Sequence, residues 1–111
     1  GIVMFGSSLI QDISSLSQVE SIDLLGCNGI TDIYPLKNVK EVKISICDNI
    51  RDFSCLGNQE TLELCRCPDL INVTNFSGIQ RLSIHLCTNL CDVSPLYGIP
   101  FLSISVCAKV N

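Results

Sequence analysis

The groups of this 111-residue chain that could do chemistry are eight cysteines, one histidine and eleven carboxylate side chains. Thiols act as disulfide halves, metal ligands or nucleophiles, and spacing decides among these roles. Cys27, Cys47, Cys67, Cys87 and Cys107 stand 20 residues apart in an unbroken ladder. Cys65 and His85 share the same separation. A thiol beside an imidazole could be a nucleophile with its base, or half a metal site, and Glu63 is near enough in sequence to complete either. Asp12, Asp32, Asp52 and Asp92, with Asn72 in step, form a further column of oxygen ligands. Cys65-Arg66-Cys67 has one residue between its thiols and so lacks the two-residue spacing of a zinc knuckle. There is no Gly-rich phosphate loop and no hydrolase elbow.

These groups must be positioned by the elements around them, and the period of 20 runs through those too. Five residues before each ladder cysteine stand Ile22, Val42, Leu62, Leu82 and Leu102. Three before stand Leu24, Ile44, Leu64, Ile84 and Ile104. Further apolar columns follow the cysteine at intervals of three, as in Ile30, Ile33 and Leu36. Several columns in step without a gap mark a repeat architecture. Alternation in x-Ile22-x-Leu24-x predicts a short half-buried strand. The Asn-, Asp-, Gly- and Pro-rich remainder, apolar at every third residue, predicts a tight return of turns or 3-10 helix with no long helix. The repeats run 1–18, 19–38, 39–58, 59–78, 79–98 and 99–111, about five and a half units in one array. Neither end shows a cap, which suggests a fragment of a longer array.

In this frame the five ladder cysteines point the same way from identical positions. That disfavours disulfides between them and does not converge on a metal, so they are expected to act as small core residues donating weak S–H hydrogen bonds. The acidic column is expected to hold its own return leg through Asx-type bonds, because Asn72 serves there as well as Asp. Cys65 and His85 fall on the outward side of adjacent strands, with Cβ atoms about 5 Å apart. A flat strand surface supplies neither an oxyanion hole nor an enclosing pocket, so an incidental polar contact is the plainer reading. Cys55 takes the place of Pro35 and Pro95, and Cys91 that of Thr31 and Arg51; neither has a repeated partner.

The chain resembles the leucine-rich repeat family. The pattern L-x-x-L-x-L-x-x-(N/C)-x-(x)-L is carried by Val19, Ile22, Leu24, Cys27 and Ile30, and again by Ile79, Leu82, Ile84, Cys87 and Leu90. The returns Thr31-Asp32-Ile33-Tyr34-Pro35-Leu36 and Cys91-Asp92-Val93-Ser94-Pro95-Leu96 are similar to the "TDVSPL" tails of internalin-like and protist members. The likeness covers the whole chain and departs from the family in its short unit and missing caps. It implies a right-handed, mostly β solenoid of α/β type with a parallel sheet on its concave side.

The outward strand positions vary from repeat to repeat while the inward ones do not. Phe5, Leu25, Lys43, Glu63, Cys65, Arg81, His85 and Phe101 are therefore the candidate partner-binding residues, since aromatic and Arg anchors carry much interface energy. The expected function is a non-catalytic module that binds a protein partner. The alternative is an assembly protein whose uncapped units stack end to end into filaments or dock into a larger assembly. No cofactor or metal is expected. Seven basic against eleven acidic residues, net charge −4, argue against nucleic acid as the partner. No run of about 18 apolar residues exists to span a membrane. Asn72-Val73-Thr74 and Asn75-Phe76-Ser77 are sequons that matter only in a secreted chain. Assigning five cysteines to a core ladder favours an intracellular, reducing setting.

Overall fold

The computed structural model describes residues 1–5 and 10–105, and the side chains of Met4 and Phe5 fall outside that description together with Cys107. Six short strands form one parallel sheet: β1 (Ile2–Phe5), β2 (Ser21–Leu25), β3 (Glu41–Ser45), β4 (Thr61–Cys65), β5 (Arg81–His85) and β6 (Phe101–Ser105). They lie side by side in chain order, and every pairing joins residues 20 apart, as in Ile22↔Val42 and Leu62↔Leu82. A constant offset keeps the alternation in phase across the sheet, so one face collects all the apolar side chains.

That face is covered by the return legs. Leu24, Cys27, Ile30, Ile33, Leu36 and Val39 are all buried, and their described counterparts in neighbouring units, Gln59 excepted, belong to the same apolar cluster or pack against it. Each such side chain contributes about 1.5–3 kcal/mol on burial, which lets strands of five residues persist. The legs carry single 3-10 turns at Ser14–Leu16, Tyr34–Leu36, Thr74–Phe76 and Ser94–Leu96. A three-residue repeat of apolar positions suits a helix of three residues per turn, and Pro35 and Pro95 are preset for its first positions. The leg at Ser54–Leu56 has no 3-10 turn, although the amide of Leu56 still donates to the Phe53 carbonyl at 3.1 Å. No described helix is long and apolar enough to cross a membrane.

The bends after β2 to β5 take a left-handed backbone conformation. Gly26 has φ 66°, and the residues in the same column, Ile46, Arg66 and Leu86, have φ 56°, 53° and 59°. A side chain in this left-handed region costs about 1–2 kcal/mol. The bend turns each amide toward the next strand: the Gly26, Ile46, Arg66 and Leu86 N–H groups donate to the carbonyls of Ser45, Cys65, His85 and Ser105 at 2.9–3.1 Å. These four bonds extend the ladder past the strand ends and offset the strain.

Candidate binding face

The other face of the sheet is a surface of three rows running across the strands. The first row is Ser21, Glu41, Thr61, Arg81 and Phe101; the second is Val3, Asp23, Lys43, Glu63, Ser83 and Ser103. The third is Leu25, Ser45, Cys65, His85 and Ser105. The Phe5 backbone heads this third row opposite Leu25, while its side chain lies outside the described residues. All eight sequence-nominated residues thus sit on strands of one sheet, and seven of them, Phe5 excepted, are described on the side away from the core, as their odd numbers in the alternation require.

Two shallow depressions lie over the first two rows. One of about 280 Å³ covers β1 to β4 and includes Asp23, Glu41 and Lys43. The other, about 360 Å³, covers β4 to β6 and includes Arg81 and Phe101. Thr61 and Glu63 line both, so the two form one trough. Lys43 Nζ lies 3.4 Å from Glu63 Oε2, both side chains about half exposed. A pair this open to water contributes about 0.2–1 kcal/mol. The Arg81 guanidinium stacks over the Phe101 ring at 4.3 Å, and Phe101 is 57% exposed. Stacking orders a long side chain on the surface at low entropic cost.

The third row is less open than the alternation implies. Ser45, expected to face outward, is only 7% exposed, flanked in its row by Leu25 and Cys65. His85 does stand directly opposite Cys65 in register. Its ring Nδ1, however, is hydrogen bonded to Ser105 Oγ on the far side. An imidazole turned toward Ser105 is not set to take a proton from the thiol.

The four described ladder cysteines, Cys27, Cys47, Cys67 and Cys87, are buried in the core. Cys47 Sγ donates to the carbonyls of Leu24 at 3.8 Å and Ser45 at 3.5 Å; Cys67 and Cys87 repeat the pattern with Ile44 and Cys65, and with Leu64 and His85. The acceptors are carbonyls near the strand ends. The hydrogen bond to Cys87, together with burial, pushes the Cys67 thiol up, and burial does the same to Cys47. A neutral thiol such as Cys47 or Cys67 is a poor nucleophile and metal ligand, whereas the hydrogen bond with Cys67 holds the Cys87 thiol down at about 7. Among the described residues, no group of three or more His, Cys, Asp or Glu side chains is placed to hold a metal ion.

On the opposite side of the molecule the acidic column closes the return legs. Oδ1 of Asp12, Asp32, Asp52, Asn72 and Asp92 accepts the backbone N–H two residues on, each at 2.9 Å. Hydrogen bonds from the backbone and hydroxyl of Ser14 and of Ser94 hold the carboxyls of Asp12 and Asp92 below the usual range, and the hydroxyl and backbone of Ser54 do the same for Asp52. Where the third leg lacks its 3-10 turn, two recesses meet at Tyr34, Ser54 and Cys55. Burial and the Asp52 charge push the Cys55 thiol up to about 11, which removes its nucleophilicity near neutral pH.

One residue was missed altogether. Gln59 occupies the column of Val39, Ile79 and Ile99 and is 2% exposed. Its Oε1 accepts from the Gly57 N–H at 2.8 Å, and its Nε2 donates to the Leu36 and Lys37 carbonyls, both at 3.1 Å. The signal was a single polar residue in an otherwise apolar column. Comparison with protein-family models, curated proteins and solved structures returns no match.

Proposed function

We propose that the chain is a leucine-rich-repeat-type solenoid acting as a non-catalytic module that binds a protein partner across the outer face of its sheet. The observation that carries this reading is the contrast between the two faces. Core strand positions stay Ile, Leu or Val from strand to strand, whereas the outward residues of the trough change in charge, size and polarity. A core demands repetition, while a surface that varies within a rigid frame is free to be shaped by what it binds. The right-handed coil is supported by the general handedness of connections between parallel strands. The absence of a base aligned on Cys65 favours recognition over covalent chemistry. Buried thiols at Cys27, Cys47, Cys67 and Cys87 suit a reducing intracellular compartment but do not require it.

The test is selection of binding peptides or small domains against the purified chain, followed by hydrogen-exchange mapping. The expected binders protect β2 to β6 and lose affinity with Phe101→Ala, with the denaturation midpoint little changed. Binders that map to the Tyr34 and Tyr97 side and ignore Phe101 would overturn the reading.

A second reading, self-association strand to strand, is favoured by one observation. Leu102 and Ile104 on β6 are only partly buried, whereas their counterparts Leu82 and Ile84 are 1% and 0% exposed. Concentration-dependent rods in sedimentation and electron microscopy would select it over the module reading.

A further inference from the structure

We infer that the trough is a charge-polarised receptor for an extended peptide segment carrying a basic side chain and, four residues along, a carboxylate. The inference deepens the binding-face reading above and rests on it. Arg81 marks one end. Its guanidinium carbon stands over the Phe101 ring at 4.3 Å from the centroid, a contact that holds the side chain in place while its N–H donors can serve a carboxylate. Among the described residues the ion pairs are Lys43–Glu63 and Arg51–Asp69, so Arg81 has no carboxylate partner of its own. Asp23 and Glu41, on β2 and β3, mark the other end and belong to neither pair. Between the ends Lys43 and Glu63 neutralise each other. The face therefore runs from negative through neutral to positive across the strands.

Geometry sets the spacing. β2 and β5 are three strand intervals apart, about 14 Å. Four residues of extended chain span about 13–14 Å, and alternate side chains project to one side, so residues i, i+2 and i+4 face the sheet together. Residue i+2 then lies over the neutral centre at Thr61 and Glu63, where a small side chain fits the shallow floor. A helical segment brings i and i+4 within about 6 Å and cannot bridge the two ends.

The test uses end-blocked synthetic peptides of Ser, Thr and Val bearing Lys and Glu at i and i+4, in both chain directions. Comparators carry the pair at i and i+2, two Lys, or two Glu. Binding to the full chain is measured by calorimetry at about 0.05 M and 0.5 M salt, with NMR shift mapping, because screening weakens exposed charge pairs. An i, i+4 Lys/Glu peptide is expected to bind about tenfold tighter than the comparators, at two complementary ends. Arg81→Gln should weaken it about fivefold, Arg81→Lys less, and Arg81→Glu should move the preference to the two-Lys peptide. Circular dichroism confirms that each variant is folded. Peptides that map to the trough without regard to charge spacing would overturn the polarity and leave the binding face standing. Peptides that map elsewhere, or none that bind, overturn the inference, and the selected-binder experiment then decides the binding face separately.

Discussion

Gln59→Ile is the substitution on which sequence averaging and structure disagree most sharply. Four column mates are Val19, Val39, Ile79 and Ile99, so making the column uniform would be the stabilising choice. The side chain says the opposite. Gln59 accepts from the Gly57 amide and donates to the Leu36 and Lys37 carbonyls. Isoleucine removes all three bonds. The Leu36 carbonyl keeps a donor in the Val39 amide at 3.0 Å, but the Gly57 N–H and the Lys37 carbonyl lose theirs. A buried backbone group left unpaired costs about 1–3 kcal/mol. Partial access of water to Lys37 and Gly57 places the sum of the two nearer 3 than 6, and the added apolar surface returns about 1 kcal/mol. The net expectation is a loss of about 2 kcal/mol, or a fall in Tm of about 8 °C for a chain of this size. Urea unfolding followed by far-ultraviolet circular dichroism measures it, with an unchanged slope showing that the midpoint reports stability. Ile79→Val, in the same column without side-chain hydrogen bonds, is the control and should cost about 0.5–1.5 kcal/mol. A Gln59→Ile midpoint at or above the wild-type value would refute the reasoning.

Other consequences are equally open to measurement. Gly57→Ala should lose about 2 kcal/mol in the same unfolding assay, since Gly57 has φ 153° and an added Cβ would stand 2.4 Å from the Asn75 carbonyl oxygen; an unchanged midpoint would contradict it. Asp12, Asp52 and Asp92 have folded pKa values below the usual carboxylate value, so they contribute stability above the unfolded pKa of about 3.9 that is lost as pH falls through the folded values. The triple Asp→Asn variant should therefore show a shallower loss of urea midpoint between about pH 4 and pH 2 than the parent; parallel curves would reject the assignment. Thiol labelling at neutral pH, mapped by mass spectrometry, should modify exposed Cys91 first, part-buried Cys65 next and Cys55 later. Buried Cys27, Cys47, Cys67 and Cys87 should react only on unfolding, and early labelling of any of them would contradict the core placement.

Much of the architecture is legible in the residues because a parallel sheet with a constant offset copies sequence separation directly into space. Once Ile22, Val42, Leu62 and Leu82 are seen 20 apart, their alignment follows, and period-2 alternation assigns Asp23, Lys43 and Glu63 to the opposite face. The Asp and Asn column could be read for the same reason: an Asx bond reaches only two residues along the chain, so local sequence contains both partners. The ladder thiols follow from burial at a repeated position.

What the sequence by itself determined is therefore the order, spacing and facing of the strands, together with every interaction whose range is a few residues. Tertiary structure alone decided the rest. The left-handed bend at Ile46, Arg66 and Leu86 has no glycine to announce it, and it occurs where each residue's amide still bonds the next strand. Ser45 sinks between its cross-strand neighbours, and the His85 ring is hydrogen bonded to Ser105 although Cys65 is equally close in register. Arg81 lies on Phe101, and Gln59 finds three backbone partners across two return legs. Periodicity says which residues are neighbours. Which neighbour a side chain engages depends on rotamer, distance and competing hydrogen bonds, and those exist only once the strands are side by side.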